Sequence, residues 1–382
     1  LSQGKYALII TGRHLIYVHR VASMQTLYFA YAMYGFTFAF IGLSAQYEMV
    51  NTFGYTAADL AFAWSCVSAP WGFKPLYGYV SDRIGRRLCI SVGSFCAGVC
   101  LAYLPLFGDK IVYGLTLTSF FICFADVASD SIVVTNTKTH GRQLQSTCWT
   151  SRSFGSMIAT GLSGAAYQYV HYNNVMRLAS VGPFILSLMI WNLDEPERTV
   201  ASLWSSVKSI RKMKYIILVA VFMELMPEID NAFFQVLQTK LSPIQISLTS
   251  VSGAFAGCVV SFAYQYTGGF RRCLQVSVVL NIVCAVIAFA IFMGAPMLGF
   301  EIVRSVLSAT GSMLFVLPVV IEAAKLSCDG SEGVSYALFV SIMNLSGVVG
   351  EYLESYAVRA VDDMGLYLVL CAVVMWLPLL VI

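Results

Sequence analysis

The sequence predicts an all-α integral membrane protein of twelve spanning helices, arranged as two pseudo-symmetric six-helix bundles. Three observations carry this expectation. Of 382 residues, 58% are hydrophobic and 11% charged, with a mean hydropathy of +0.75, whereas a soluble domain carries about 25% charged residues. The apolar residues form long runs without a strict period of two, which excludes a closed β-barrel. The longest polar connection, DEPERTVASLWSSVKSIRKMK, falls near mid-chain and leaves about six apolar runs on each side, the layout of a repeat-built membrane protein.

Each span needs about 20 apolar residues. Breaks at Gly, Pro, Asn and charge clusters place spans near 22–46, 57–80, 87–107, 111–137, 143–170, 175–193, 214–238, 244–266, 272–294, 297–325, 333–357 and 364–382. In LSQGKYALIITGRHLIYVHR two short apolar stretches are interrupted by Arg13, His14, His19 and Arg20. No cleavage site follows them, so they read as an interfacial segment rather than a signal peptide. The expected organisation is a cytoplasmic or interfacial segment 1–20, a bundle 21–193, a cytoplasmic linker 194–213 and a bundle 214–382.

The basic residues set the orientation. Arg83, Arg86, Arg87, Lys138, Arg142, Arg198, Lys208, Arg211, Lys212, Lys214, Arg271, Arg272 and Lys325 fall on one set of connections, with Lys5, Arg13 and Arg20 before the first span. The opposite set holds Lys110, Arg177, Lys240 and Arg359. By the positive-inside rule both termini are cytoplasmic. A net charge of +3 gives no argument for a nucleic-acid partner. The eleven cysteines are scattered, and His14, His19, His140 and His171 fall in predicted loops or near termini. No metal constellation, redox motif, Walker loop or nucleophile–base pair is present, so neither a cofactor nor enzymatic or ATP-driven chemistry is expected.

Polar residues inside spans mark candidate sites. In CFADVASDSIVV, Asp126 and Asp130 share one helix face, about 6 Å apart. Counting from a hairpin turn at His140–Gly141–Arg142 puts Arg152 level with Asp130 and leaves Asp126 without a cation. On that count Asp130→Asn harms folding and Asp126→Asn spares it. Lys74, before Pro75, either snorkels to the cytoplasmic interface or binds anions near an inner gate; Pro75 frees a backbone carbonyl and kinks its helix. MELMPEIDNAFF offers Glu224 and Asp230 as cavity or proton-handling groups, Glu228 for an outer vestibule, and Asn231, Phe233 and Phe234 for a flat heterocycle. Glu301–Arg304 and Glu322–Lys325 are spaced as local ion pairs, the second beside a cytoplasmic gate. A fourteen-residue glycine spacing, Gly141–Gly155 against Gly333–Gly347, matches Arg152 to Asn344. The plainer alternative, polar groups that only hold helices together, stays open for each.

GYVSDRIGRR (78–87) resembles the major facilitator signature G-x-x-x-D-R-x-G-R-R through Gly78, Asp82, Arg83, Gly85, Arg86 and Arg87. The resemblance implies a conformational switch in which these charges pair and part between bundles. YTGGFRR, with Gly269, Arg271 and Arg272, is a degraded counterpart lacking the aspartate. PWGFKPLYGYVSD (70–82), FADVASDSIVV (124–134), LQSTCWTSRSFG (144–155), PEIDNAFF (227–234) and GSEGVSYALFVSIMN (330–344) together resemble the folate–biopterin transporter family. One departure is Thr135-Asn136-Thr137-Lys138, where that family shows an acidic and then a basic residue.

The resemblance implies a secondary transporter of folates or pterins that works by alternating access; a carboxylate-rich cavity without an NTP motif makes protons the natural drive, with sodium coupling and simple exchange left open. Asp126, Asp130, Arg152, Asp230, Asn231, Phe234, Asn344 and Lys74 are the expected substrate ligands, and Asp126, Glu224 and Asp230 the expected proton-coupling groups. The expected partners are the lipid bilayer and a small molecule, the chain being monomeric in a plasma membrane or an organelle membrane such as a plastid's. Two alternatives stand beside this: the same fold carrying another metabolite, such as S-adenosylmethionine or an organic anion, and a non-transporting receptor.

Overall fold

A computed structural model describes residues 2–140, 142–193, 211–227, 229–266, 269–326, 332–361 and 363–382, with side chains from Met24 onward except at 137–142 and 332–335. Lys138, Arg142, Arg198, Lys208, Glu228 and most of the expected linker 194–213 fall outside those limits. So do the side chains of Lys5, Arg13, His14, His19, Arg20, Thr137 and His140.

Among the described residues the chain is helical and contains no strand. The helices are α1 Ser2–Asn51, α2 Ala57–Ser68, α3 Lys74–Ile84, α4 Arg86–Tyr103, α5 Ile111–His140, α6 Arg142–Tyr169 and α7 Tyr172–Met189. After the mid-chain connection come α8 Lys214–Glu224, α9 Ile229–Gln238, α10 Pro243–Ala263, α11 Phe270–Phe292, α12 Met297–Leu326, α13 Glu332–Val361 and α14 Met364–Val374. Residues 2–20 run without a break into the first span. It contains no proline, and its glycines cost only about 1 kcal/mol each inside a helix.

Local sequence explains the ends and the breaks. Thr56 with Asp59, and Ser242 with Gln245, form reciprocal capping boxes at α2 and α10, which satisfy N–H groups that a helix start leaves orphaned. The 57–80 span is interrupted by a 3-10 turn, Ala69–Phe73, between Pro70 and Pro75. The 214–238 span breaks at Pro227, between α8 and α9. Proline lacks the N–H that would continue the ladder.

Seven helical stretches are long and apolar enough to cross a membrane, judged on length and composition among the described residues. Their outer faces carry exposed Phe95, Leu106, Leu188, Phe255 and Val286, an apolar belt that a lipid solvent accommodates and water does not.

Before the linker, α1 packs on α6 and α7, and α4 on α5 and α7. After it, α12 packs on α10 and α11, and α11 on α14. Two seams join these groups: α6 against α10, and α2 with α3 against α13. Small residues let the backbones approach. In the first seam Ser247 Oγ accepts from the Gly164 amide at 3.3 Å and donates to the Thr160 carbonyl. In the second, Ser355 Oγ donates to the Ala58 carbonyl at 2.8 Å.

Candidate functional site

The break before α3 shapes the site. Three carbonyls released there are all met by side chains. Pro70 O accepts from Tyr77 Oη at 3.1 Å, and Trp71 O from Asn344 Nδ2 at 3.2 Å. Gly72 O accepts from Ser341 Oγ. Trp71 is four residues before Pro75, so its carbonyl is the one Pro75 leaves unpaired, as expected from the sequence. Asn344 and Ser341 lie on α13, so the backbone cost of the break is met from the other half of the chain.

That break also carries Lys74 inward. Its side chain is 5% exposed, and Nζ lies 3.0 Å from Asp126 Oδ2 and 3.2 Å from Asp130 Oδ2. Tyr31 Oη on α1 donates to Asp130 Oδ1 at 2.5 Å, and Arg152 Nη1 reaches Asp126 Oδ1 at 3.3 Å. Two carboxylates, two cations and a phenol thus form one buried network. Lys74 does not snorkel to an interface, and Arg152 pairs with Asp126 rather than Asp130. The hairpin count fails because α6 packs chiefly on α1 and α10 rather than lying along α5. Asp130 is occupied instead by groups from α3 and α1. The Arg152 guanidinium lies 5.7 Å from the Trp71 ring centre and 5.4 Å from that of Trp149, within cation–π range.

A second charged group forms in the other half. Arg304 binds Glu301 through Nε and Nη2, each at 2.7 Å, as the i, i+3 spacing predicts. It also binds Asp230 across the break in the α8–α9 span, a partner the local spacing did not suggest. The Phe233 ring lies 5.5 Å from the guanidinium.

These groups line two chambers. The larger, about 700 Å³, is bordered by Arg152, Asp230, Asn231, Phe234, Glu301 and Arg304. The smaller, about 270 Å³, is bordered by Lys74, Asp126, Asp130, Arg152, Glu224 and Asn344. Trp149, Arg152 and Glu351 line both and form the shared wall. Volumes of roughly 300–1,000 Å³ suit small organic ligands. Glu351, which accepts from Ser68 Oγ at 3.3 Å, was not singled out in the sequence, nor were Trp71 and Trp149. A carboxylate inside the apolar run GVVGEYLESY was the available signal for Glu351.

Contacts between the halves occur at both ends of the chambers. At the end remote from GYVSDRIGRR, Arg359 binds Asp59 at 2.8 Å and Gln235 Nε2 donates to Tyr55 O at 2.8 Å. At the signature end, Gln145 Nε2 lies 3.4 Å from Tyr336 Oη and Ser146 Oγ donates to Ser261 O. Lys325 and Glu322 form their pair at 3.0 Å, largely exposed.

The signature itself is one residue of turn between α3 and α4. Gly85 has φ +114°, a region L side chains avoid. Gly78 has no such need: a Cβ there would stand 3.7 Å from Ala337 and Val127, ordinary contact. Arg86 binds Asp82 at 3.4 Å and approaches Thr135 Oγ1 at 3.5 Å, while Arg83 lies over the Tyr79 ring. Arg87 is placed at the start of α4. Thr135, at the departure from the family pattern, thus faces a cation with a hydroxyl. His171 caps α7, its Nδ1 accepting from the Asn173 amide at 3.4 Å.

Two helical groups around a shared charged cavity, inside an apolar belt, define a multi-pass membrane transporter. Solved transporters share this fold at low identity. The nucleoside transporter NupG aligns with TM-score 0.72 and 12% identity, over 94% of this chain and 99% of that one. The human organic anion transporter MFSD10 (TETRAN) aligns with TM-score 0.72 and 13% identity, over 95% and 99%. A POT family peptide transporter gives TM-score 0.71 and 13% identity, over 94% and 96%. The chain belongs to the BT1 family, whose model matches residues 34–380. It is 26% identical over 345 residues to a folate-biopterin transporter of Synechocystis sp., covering 80% of this chain and 69% of that protein. The resemblance drawn from the five sequence segments is thereby borne out.

Proposed function

We propose that the chain moves folates or pterins across a membrane by alternating access, with proton coupling as the drive. The observation that carries this reading is the combination, in a BT1-family chain, of acceptor carboxylates and a partly exposed arginine around one cavity. A pterin presents an amino group and a ring N–H, for which carboxylates are suitable acceptors; a folate adds carboxylates, for which arginine is suited. The substrate ligands in this proposal are Asp230, Asn231, Phe234 and Arg152 in the larger chamber, while Lys74, Asp126, Asp130 and Asn344, read as ligands from the sequence, are engaged with one another, with Arg152 and with the broken helix and position the site. Asp126 is committed to two cations, so Glu224 and Asp230 take the proton-handling role.

In this reading the chain has twelve spans, the broken 57–80 and 214–238 segments each counting as one. The bodies 21–193 and 214–382 rock about the two seams, while Gly78, Asp82, Arg83, Gly85, Arg86 and Arg87 switch partners at the cytoplasmic face. Both termini are cytoplasmic by the charge asymmetry, and a monomer in the plasma membrane suffices. Contacts between the halves at both ends of the chambers support alternating access, because one set must part for each opening.

Uptake of labelled reduced folate into sealed proteoliposomes, with and without an inward proton gradient, tests the proposal. Gradient-stimulated uptake blocked by unlabelled pterin is expected. Glu224→Gln is expected to abolish the stimulation while retaining folate exchange at equilibrium. Folate uptake indifferent to the gradient removes the coupling, and absence of uptake with folded protein removes the substrate class.

A further inference from the structure

Two charged groups border the larger chamber, and they are not chemically equivalent. In one, Asp230 keeps a side chain that is 60% exposed, with only Oδ1 engaged, by Arg304. Asn231 follows it and also lines the chamber. This group offers acceptors, and its cation is spent: Arg304 is 6% exposed and held by two carboxylates. Around Arg152 the order reverses. Asp126 and Asp130 border the smaller chamber rather than the larger; Asp126 is 1% exposed and bound to both Lys74 and Arg152, while Asp130 is bound to Lys74 and Tyr31. Those acceptors are spent, and Arg152, which borders both chambers and is 24% exposed with one N–H on Asp126, keeps guanidinium edge for a ligand. Trp71 and Trp149 lie within cation–π range of that guanidinium. Glu224 borders the smaller chamber alone and disfavours an anion beyond Arg152, while Glu351 borders both chambers and favours neither side.

We propose that an elongated ligand lies across the larger chamber in one orientation, its donor-rich amino-heterocycle at Asp230 and Asn231 and its carboxylate tail at Arg152. This rests on the folate–pterin reading above and adds a division of labour to it. Asp230 recognises every ligand with the heterocycle. Arg152 recognises only those with the tail, and so sets the preference between folates and tail-less pterins.

The test is equilibrium binding of folate, of pteroamide (the same molecule with a primary amide in place of its glutamate, so no carboxylate) and of pterin to purified full-length protein. A charged hydrogen bond of this kind corresponds to about ten- to a hundredfold in affinity, so wild type is expected to prefer folate to pteroamide by that factor. Arg152→Gln is expected to erase the preference by weakening folate alone. Asp230→Asn is expected to weaken all three ligands by a common factor and to keep the preference. Both variants retain a partner for what is left, Lys74 for Asp126 and Glu301 for Arg304, and the wild-type comparison needs no substitution. Equal weakening of folate and pteroamide by Arg152→Gln, or loss of the preference in Asp230→Asn, overturns the orientation while leaving the substrate reading intact. Binding of none of the three by folded wild type overturns both.

Discussion

Replacing Lys74 by methionine is expected to destabilise the protein by about 3–5 kcal/mol, the usual consequence of breaking a buried ion pair from one side. Lys74 is the only cation within 4 Å of Asp130 among the described residues, and it shares Asp126 with Arg152. Its removal leaves Asp130 to the Tyr31 hydroxyl alone. A marked fall in thermal unfolding midpoint in detergent, with poor recovery of monodisperse protein, is the expected result. Adding Asp130→Asn to Lys74→Met is expected to restore part of the loss, because the stranded charge goes with its partner. Unchanged stability in Lys74→Met overturns this account of the network.

The same network orders the aspartate variants. Asp126→Asn takes the carboxylate from Arg152 and leaves Lys74 with Asp130 alone, at a site 1% exposed, whereas Asp130→Asn leaves both Lys74 and Arg152 bound to Asp126. Asp126→Asn is therefore the more damaging to folding, the reverse of what the helix-hairpin count implied. Side-by-side expression and unfolding midpoints decide the order.

What the sequence shows and hides follows from the range of each interaction. Spanning helices are local: twenty apolar residues announce themselves, and among the described residues every segment read as a span falls largely on helix, with 57–80 and 214–238 broken. Breaks are local too, since Pro70, Pro75 and Pro227 are visible in the chain. The i, i+3 pairs Glu301–Arg304 and Glu322–Lys325 form as spaced. The long-range partners are not local. Depth in a two-helix hairpin placed Asp130 and Arg152 at one level, but depth does not say which face a third helix brings up. Lys74 arrives from the broken helix, and Arg304 reaches Asp230 from 74 residues away. Trp71, Trp149 and Glu351 become wall residues only once α13 closes on α2 and α3, a contact that nothing local in those segments encodes.

The crossing of α1 and α6 is expected to be the least tolerant packing contact near the site. Gly35 lies against the Arg152 carbonyl and Gly155 against the Ala32 carbonyl, each where a Cβ would overlap backbone. Backbone cannot yield as a side-chain tip can, so Gly35→Ala or Gly155→Ala must push the two helices apart. Overpacking of this kind costs about 1–3 kcal/mol, and more where nothing can rearrange. The displaced helix carries Trp149 and Arg152, the wall shared by both chambers. Binding of any cavity ligand is therefore expected to fall even in the fraction that folds. Gly42→Ala is the control: two turns along the same helix, a Cβ there meets nothing within 4 Å. Since alanine favours a helix over glycine by about 1 kcal/mol, that variant is expected to hold or slightly raise the unfolding midpoint. Equal midpoints for Gly35→Ala, Gly155→Ala and Gly42→Ala would show that the crossing is looser than these contacts require, and that Arg152 owes its position to the Asp126 bond rather than to the α1–α6 contact.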